Sequence, residues 1–381
     1  MPKVAARGRI PAFIAMEVLR AANERAAAGH DVLHLELGQP GAGAPRAVIE
    51  AARRALERER LGYTEALGIP ALRSRIARHY RETYDLAVEP AQIVVTTGSS
   101  GAFLLGFLAA FDPGDRIALA SPGYPAYRNI LLALDLVPVD VPTGPAEHFQ
   151  PTPELLDRAG GNLAGLIVAS PSNPCGSMID RARFDALVAY CRTHDMRLVS
   201  DEIYHGITYG TEPVTAVALD PQAIVVNSFS KYYAMTGWRL GWMVLPPDLM
   251  RSVESLAQNL FISPPALPQH AGIAAFDCRD ELDALVAHYA ENRALLLEGL
   301  PAAGFEKFAP ADGAFYLFAD VANLTNDSEE FCRRMLEETG VATTPGVDFD
   351  TDRGHRFLRF SFAGATGDIV EAVKRLRAWR R

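Results

Sequence analysis

The 381-residue sequence has no paired-cysteine motif, no basic run and no long apolar stretch, and each absence removes a class of protein. Its four cysteines, Cys175, Cys191, Cys278 and Cys332, are far apart and form no CxxC pair, so neither a disulfide framework nor a metal site is expected. Reduced thiols point to the cytoplasm. Lys and Arg number 37 against 46 Asp and Glu, a net charge of -9, which argues against a nucleic-acid-binding surface. No segment approaches the roughly 20 apolar residues that a membrane-spanning helix needs. The first 30 residues carry charges throughout, unlike the apolar centre of a secretory signal. The absence of HExxH, GxGxxG, GxSxG and Walker sequences removes the motif-bearing zinc, dinucleotide, hydrolase and nucleotide chemistries.

What is present is globular: 49% hydrophobic residues supply a sizeable core, and the length predicts one large unit and one smaller one. Short Val, Ile and Leu-rich runs at 93–96, 116–120, 137–141, 165–169, 197–200, 223–227 and 241–245 alternate with amphipathic stretches such as 99–111 and 181–193. That rhythm predicts an α/β fold with a mainly parallel seven-stranded sheet flanked by helices. Long helices over 271–300, short strands near 315–318 and 357–360 and a last amphipathic helix follow. The expected division is a large unit over 46–282 and a smaller α+β unit formed by 1–45 and 283–381.

The chemistry concentrates in NSFSKYYAMTGWRLGW, residues 227–242, where Lys231 follows a strand with Ser228 and Ser230 before it and Arg239 eight positions on. A lysine that is to form a Schiff base must be desolvated to be nucleophilic, and an anchored phosphate beside it requires hydroxyls and a guanidinium. The turn Gly98, Ser99, Ser100 opens an apolar helix and offers amides and a positive dipole end to an anion; taken alone, it reads as an N-cap. Asp201 ends an apolar strand, where a carboxylate needs a partner or a cap position. Arg359 stands inside the apolar FLRFSF and needs an anion, either a substrate or a structural carboxylate.

These residues resemble the class I/II aminotransferases of the fold-type I pyridoxal-phosphate (PLP) enzymes, the aspartate aminotransferase-like family. The resemblance is carried along nearly the whole chain by LELGQP at 35–40, LGYTEALGIPALR at 61–73, VTTGSSGA at 95–102, SPGYPAY at 121–127, SPSNPCG at 170–176, VSDEIY at 199–204, GAFY at 313–316 and FLRFSF at 357–362. It implies PLP as cofactor with Lys231 as its Schiff-base lysine and Asp201 against the pyridine nitrogen. Tyr204 and Asn173 would hydrogen-bond the ring's phenolic oxygen, Tyr124 would stack on the ring, and Ser99, Ser100, Ser228, Ser230 and Arg239 would hold the phosphate. Arg359, Asn173 and Gly38 would meet the substrate's α-carboxylate. Tyr63 corresponds to a tyrosine that reaches the phosphate of the neighbouring subunit, which implies a homodimer with shared sites.

The implied reaction moves the amino group of an L-amino acid to a 2-oxo acid in two ping-pong halves. A PLP lyase, or other carbanion chemistry on the same fold, uses the same cofactor residues and is the alternative. A ligand-sensing regulator would need a fused DNA-binding segment, and the match beginning near residue 10 leaves none. His205 has no obvious acid partner and reads as a supporting or solvent-facing imidazole. The resemblance places 258–265 near the mouth of the partner subunit's site, where apolar Leu260, Phe261 and Ile262, with Phe13 and Ile14 from the N-terminal segment, predict a wall suited to a neutral, aliphatic or aromatic donor, with 2-oxoglutarate or pyruvate as acceptor; the same residues also suit a subunit interface. Arg128 is a further cation that a second carboxylate could use.

Overall fold

The computed structural model describes residues 2–380, and its organising element is a seven-stranded sheet. The strands are Ile93–Thr96 (β1), Arg116–Ser121 (β2), Val137–Pro142 (β3), Gly165–Ala169 (β4), Arg197–Asp201 (β5), Ile224–Ser228 (β6) and Gly241–Val244 (β7). Their spatial order is β1-β7-β6-β5-β4-β2-β3. Strand β7 alone runs against its neighbours, pairing antiparallel with both β6 and β1; the other four pairs are parallel. Two reversals restore direction, so β1 points the same way as β6. Its carboxyl end therefore reaches the same edge of the sheet as those of β2, β4, β5 and β6.

Inner strands such as β4 and β6 are buried on both faces because both are covered, whereas the edge strand β3 is largely exposed. Leu166 and Val168 of β4 enter one core while Ile167 enters the other, and Val225 of β6 is opposed in the same way to Ile224 and Val226. Each such fully buried side chain contributes about 1.5–3 kcal/mol. The covering helices follow the same logic. Arg181–Thr193 buries Phe184, Leu187, Val188 and Cys191 at helical spacing and starts where the Asp180 carboxylate accepts the Arg183 amide at 2.9 Å. Gly98–Ala110 is apolar nearly all round and buries seven of its residues.

A separate core gathers Leu33 and Leu35 with Leu296, Phe315, Leu317, Leu358, Phe360, Ile369 and Leu376. Its antiparallel sheet has the order β10-β11-β9-β8, where β8 is Lys307–Phe308, β9 Tyr316–Asp320, β10 Thr344–Pro345 and β11 Phe357–Ser361. Leu33–His34 pairs with Val341–Ala342, which binds the first residues to the last third of the chain. The helical stretch expected over 271–300 is two helices, Ala266–Ala275 and Arg279–Gly299, broken at 276–278. Among the described residues no helix is long and apolar enough to cross a membrane.

Candidate active site

Five chain turns that leave the carboxyl edge of the sheet surround one cavity of about 500 Å³. The site residues named from the sequence that line it are Gly38, Ser99, Ser100, Tyr124, Asn173, Asp201, Tyr204, Ser230, Lys231, Arg239 and Arg359. They come from positions up to 321 residues apart, taking Gly38 and Arg359 as the extremes. Ser228 does not line it. Its hydroxyl instead donates toward the Leu240 carbonyl at 3.0 Å and accepts the Ser230 amide at 3.1 Å, bracing the turn that carries Lys231. Tyr63 is 84% exposed and also lies outside the cavity of its own chain.

At one end the cavity is built for an anion. The first amides of Gly98–Ala110 open onto it, and Gly98 has a φ of +72° with the Arg239 guanidinium where a Cβ would be. A side chain at 98 would push that guanidinium away, so glycine serves both the turn and the close approach. Arg239 itself has a left-handed φ of 53°, and its guanidinium donates to the Thr236 carbonyl at 3.0 Å. Ser99, Ser100, Ser230, Thr236 and Arg239 thus crowd one corner with hydroxyl, amide and guanidinium donors and no carboxylate.

Asp201 is the last residue of β5 and is held on both oxygens. The Tyr127 hydroxyl donates to Oδ2 and the Ile203 amide to Oδ1 at 3.1 Å. Burial raises its pKa to about 6 despite those two bonds and the cation at Lys231. Lys231 follows β6 and donates from Nζ to the Gly38 carbonyl. Burial, then the positive charges of Arg359 and Arg239, lower its pKa to about 8, which leaves a substantial neutral, nucleophilic fraction near pH 8.

Arg359, on β11, is 2% exposed and lies between two rings, 4.5 Å from the centre of Tyr316 and 4.7 Å from that of Phe349. Its guanidinium donates to Asn173 Oδ1 at 2.9 Å, the Glu36 carbonyl at 2.5 Å and Thr344 Oγ1 at 3.2 Å, while Nε has no partner. Among the described residues no carboxylate stands within ion-pairing distance of it. The structural salt bridge is therefore not what satisfies this buried charge. Tyr204 shares a 2.7 Å hydrogen bond with the Tyr316 hydroxyl, and that hydroxyl fills the space a side chain at Gly38 would take.

The sequence profile of the family described as aminotransferase class I and II matches residues 30–376. The chain belongs to that family. This class I and II aminotransferase is 51% identical to the valine–pyruvate aminotransferase of Mycobacterium tuberculosis (strain ATCC 25618 / H37Rv), over 99% of this chain and 98% of that protein. It is 35% identical to the aspartate/prephenate aminotransferase of Thermus thermophilus, over 91% of this chain and 90% of the relative. Among solved structures, an aminotransferase from Mycobacterium tuberculosis superposes with a TM-score of 0.98 at 51% identity, covering 100% of this chain and 99% of that one. The aspartate aminotransferase from Thermus thermophilus with maleate gives 0.93 at 33% identity, covering 99% and 100%. The protein is a transaminase with the fold-type I architecture of these relatives.

The aminotransferase chain also corrects parts of its sequence reading. Ile14 does not line the cavity, and Leu260 and Ile262, 50% and 52% exposed, lie with Phe261 outside the cavity of their own chain, as a segment at a subunit interface or a neighbouring subunit's site would. The wall is made by Phe13 with Ala15, Met16, Leu19 and Leu37, of which only Phe13 was expected. Arg128 is committed to Asp140 at 2.8 Å. His205 is buried rather than solvent-facing: Nε2 donates to the Ser170 carbonyl at 3.0 Å, Nδ1 accepts from Tyr84 at 2.8 Å, and burial lowers its pKa to about 3. An acid, Glu202, does stand 3.6 Å away. Tyr127 escaped notice, although its place three residues after Tyr124 puts both on one side of a helical turn.

Proposed function

We propose that the aminotransferase uses PLP and moves the amino group of a neutral L-amino acid to a 2-oxo acid. The observation that carries this is the company Lys231 keeps: one cavity holds a lysine of lowered pKa, a fixed carboxylate and an unpaired guanidinium. The residues fit the cofactor, since the donor-rich corner suits a phosphate, Asp201 a protonated ring nitrogen and Lys231 an aldehyde. When bound, PLP supplies that aldehyde and a ring able to take up the electrons released at an amino acid's α-carbon. Tyr204, Asn173 and Tyr124 are proposed to contact the ring, and Ser99, Ser100, Ser230 and Arg239 the phosphate.

In this reading Arg359 binds the α-carboxylate bidentately, and its two flanking rings fix the plane in which the substrate lies. Lys231 Nζ, once free, takes the proton from the α-carbon; its lowered pKa makes it a base at physiological pH. Asp201, locked by Tyr127 and the Ile203 amide, holds a negative charge at the position where it keeps the ring nitrogen protonated. Donor and acceptor both carry an α-carboxylate, and the cavity offers one unpaired guanidinium for it. They therefore bind in turn, which is the ping-pong order.

Neutrality of the donor follows from the wall. The cations lining the cavity are Lys231, Arg239 and Arg359, each with a role, and the apolar part of its surface is formed by Phe13, Ala15, Met16, Leu19, Leu37 and Ile203, with the neutral amide of Gln39 nearby in the chain. Among the described residues no cation of the cavity is left for a second carboxylate. The 51% relative that acts on valine and pyruvate supports the same choice. A homodimer is also part of the proposal: Tyr63, Leu260 and Ile262 are exposed, and the Thr64 amide donates to Ser263 Oγ at 3.3 Å, so the two segments form one surface. The large unit over 46–282 and the smaller one from both chain ends are supported by their separate cores, and a cytoplasmic setting by four unpaired thiols.

The test adds one donor at a time to the holoenzyme without any oxo acid. Valine, leucine, alanine or phenylalanine should each release one equivalent of its 2-oxo acid per site and leave the cofactor as its amine. Aspartate should be slower. Aspartate outpacing all four would overturn the neutral donor, and failure of every donor to release oxo acid would overturn the mechanism.

A further inference from the structure

The apolar wall of the cavity is held from the far end of the chain. Ala15, Met16 and Leu19 come from the start of the helix Ile14–Ala27, whose N-cap position is Phe13, a residue with no side-chain acceptor. The missing cap is supplied by Asp348. Its Oδ1 accepts the Ile14 amide at 3.0 Å and its Oδ2 the Ala15 amide at 3.1 Å, a carboxylate on the positive end of a helix dipole. Asp348 is 5% exposed and does not line the cavity.

The residue after it carries the tether further. Phe349 places its ring against the Arg359 guanidinium, and its carbonyl accepts the Gly123 amide at 3.0 Å, beside Tyr124. Phe13 in turn meets the Tyr124 ring edge-on, with centroids 5.8 Å apart. Two adjacent residues, Asp348 and Phe349, thus tie the side-chain wall to the group that would bind the α-carboxylate.

We infer that Asp348 is a specificity-positioning residue, which fixes Phe13, Met16 and Leu19 in register with Arg359 so that the site favours a donor with a branched or longer neutral side chain. The inference rests on the neutral-donor reading above. Asp348 makes no hydrogen bond to Arg359 or Lys231, whose own partners stay in place when the cap is lost, so discrimination between side chains should suffer while the chemistry persists.

The experiment compares wild-type and Asp348→Asn holoenzymes with valine, leucine and alanine. The variant should raise KM for valine and leucine about tenfold, the size of effect an apolar contact commands, with kcat and the alanine KM within about twofold. Hydrogen exchange of the amides over residues 13–19 should quicken in the same variant. Met16→Ala, at a half-exposed position that leaves the fold intact, should reproduce the loss of the valine preference over alanine. An unchanged valine-to-alanine ratio in Asp348→Asn, or an equal loss for all three donors, overturns the inference. Should that variant fail to fold, an unchanged ratio in Met16→Ala overturns it. A wild-type enzyme that prefers aspartate refutes the parent reading instead, before any variant is compared.

Discussion

Replacing Asp201 by Asn should separate stability from catalysis in opposite directions. Burial raises the Asp201 pKa from 3.8 to about 6, so the cofactor-stripped protein bears the cost of a charged carboxylate that its unfolded chain does not. The sign follows from proton binding: between those two values the folded state holds more protons, and its stability falls as pH rises. The cost reaches about 3 kcal/mol at pH 8 and roughly half of that at pH 5. Asn keeps the volume, still accepts the Ile203 amide and can donate to the Tyr127 oxygen, so it removes the charge without opening a cavity. Stripped Asp201→Asn should therefore melt above stripped wild type by up to about 4 °C at pH 8, with about half that gap at pH 5. Restoring the cofactor should reverse the ranking, because only the carboxylate gains a charged partner, and transamination by the variant should fall at least a hundredfold. Thermal scans at both pH values with and without PLP, together with single-turnover rates, decide the matter. A variant that turns over near the wild-type rate refutes the ring-nitrogen role; a gap that does not widen with pH refutes the burial argument.

Three further outcomes are expected. Lys231→Ala should abolish the borohydride-fixed attachment of the cofactor, and peptide mapping of the reduced wild type should find the label on the peptide containing Lys231. Arg359→Gln should weaken every donor and acceptor alike, by about 2–5 kcal/mol in carboxylate affinity, seen as higher KM values without a change of preferred side chain. Tyr127→Phe removes a bond that stabilises the ionised Asp201, so the acid limb of the kcat/KM profile should move to higher pH, with a deficit larger at pH 6 than at pH 8; an unmoved limb would mean that Tyr127 only packs.

The parts of the site legible in the sequence are those whose signal is local. β4 and β6 announced themselves as short Val and Ile runs, since a strand buried on both faces is apolar along most of its length. Lys231, Ser230 and Arg239 fall within one short segment, so their lining of one cavity could be expected before any fold was known, whereas Ser228 of the same segment braces the turn instead. Contacts between distant segments left no such trace. Tyr204 meets Tyr316 across 112 residues, and Asp348 meets Ala15 across 333, and neither partner carries a mark of the other. The direction of β7 was equally hidden, because an apolar strand of four residues reads the same either way.

The reversal at β7 is what makes the arrangement possible. Were β7 parallel to β6 and β1 antiparallel to it, the carboxyl end of β1 would lie at the opposite edge from Lys231, and the donors of Ser99 and Ser100 would be a strand's length away. With β1 restored to the direction of β6, Gly98 lies against Arg239 and the turn after β1 faces the turn after β6. The pairing of Ser228 with Gly241 then brings the segments before Lys231 and after Arg239 side by side. Gly241 permits that approach, since a Cβ there would stand 2.8 Å from the backbone of Gly98 and 2.9 Å from the Asn227 carbonyl. The anion corner is thus fixed by three hydrogen-bonded strands rather than by mobile loops, which is the rigidity that preorganised donors require. A substitution of Gly241 by Ala should accordingly loosen the phosphate end alone: PLP affinity should drop, while Asp201, two strands away, keeps its Tyr127 and Ile203 partners and the activity recovered at saturating cofactor stays near wild type. Equal losses in affinity and in saturated rate would show that the strand packing, and not the anion corner, depends on that glycine.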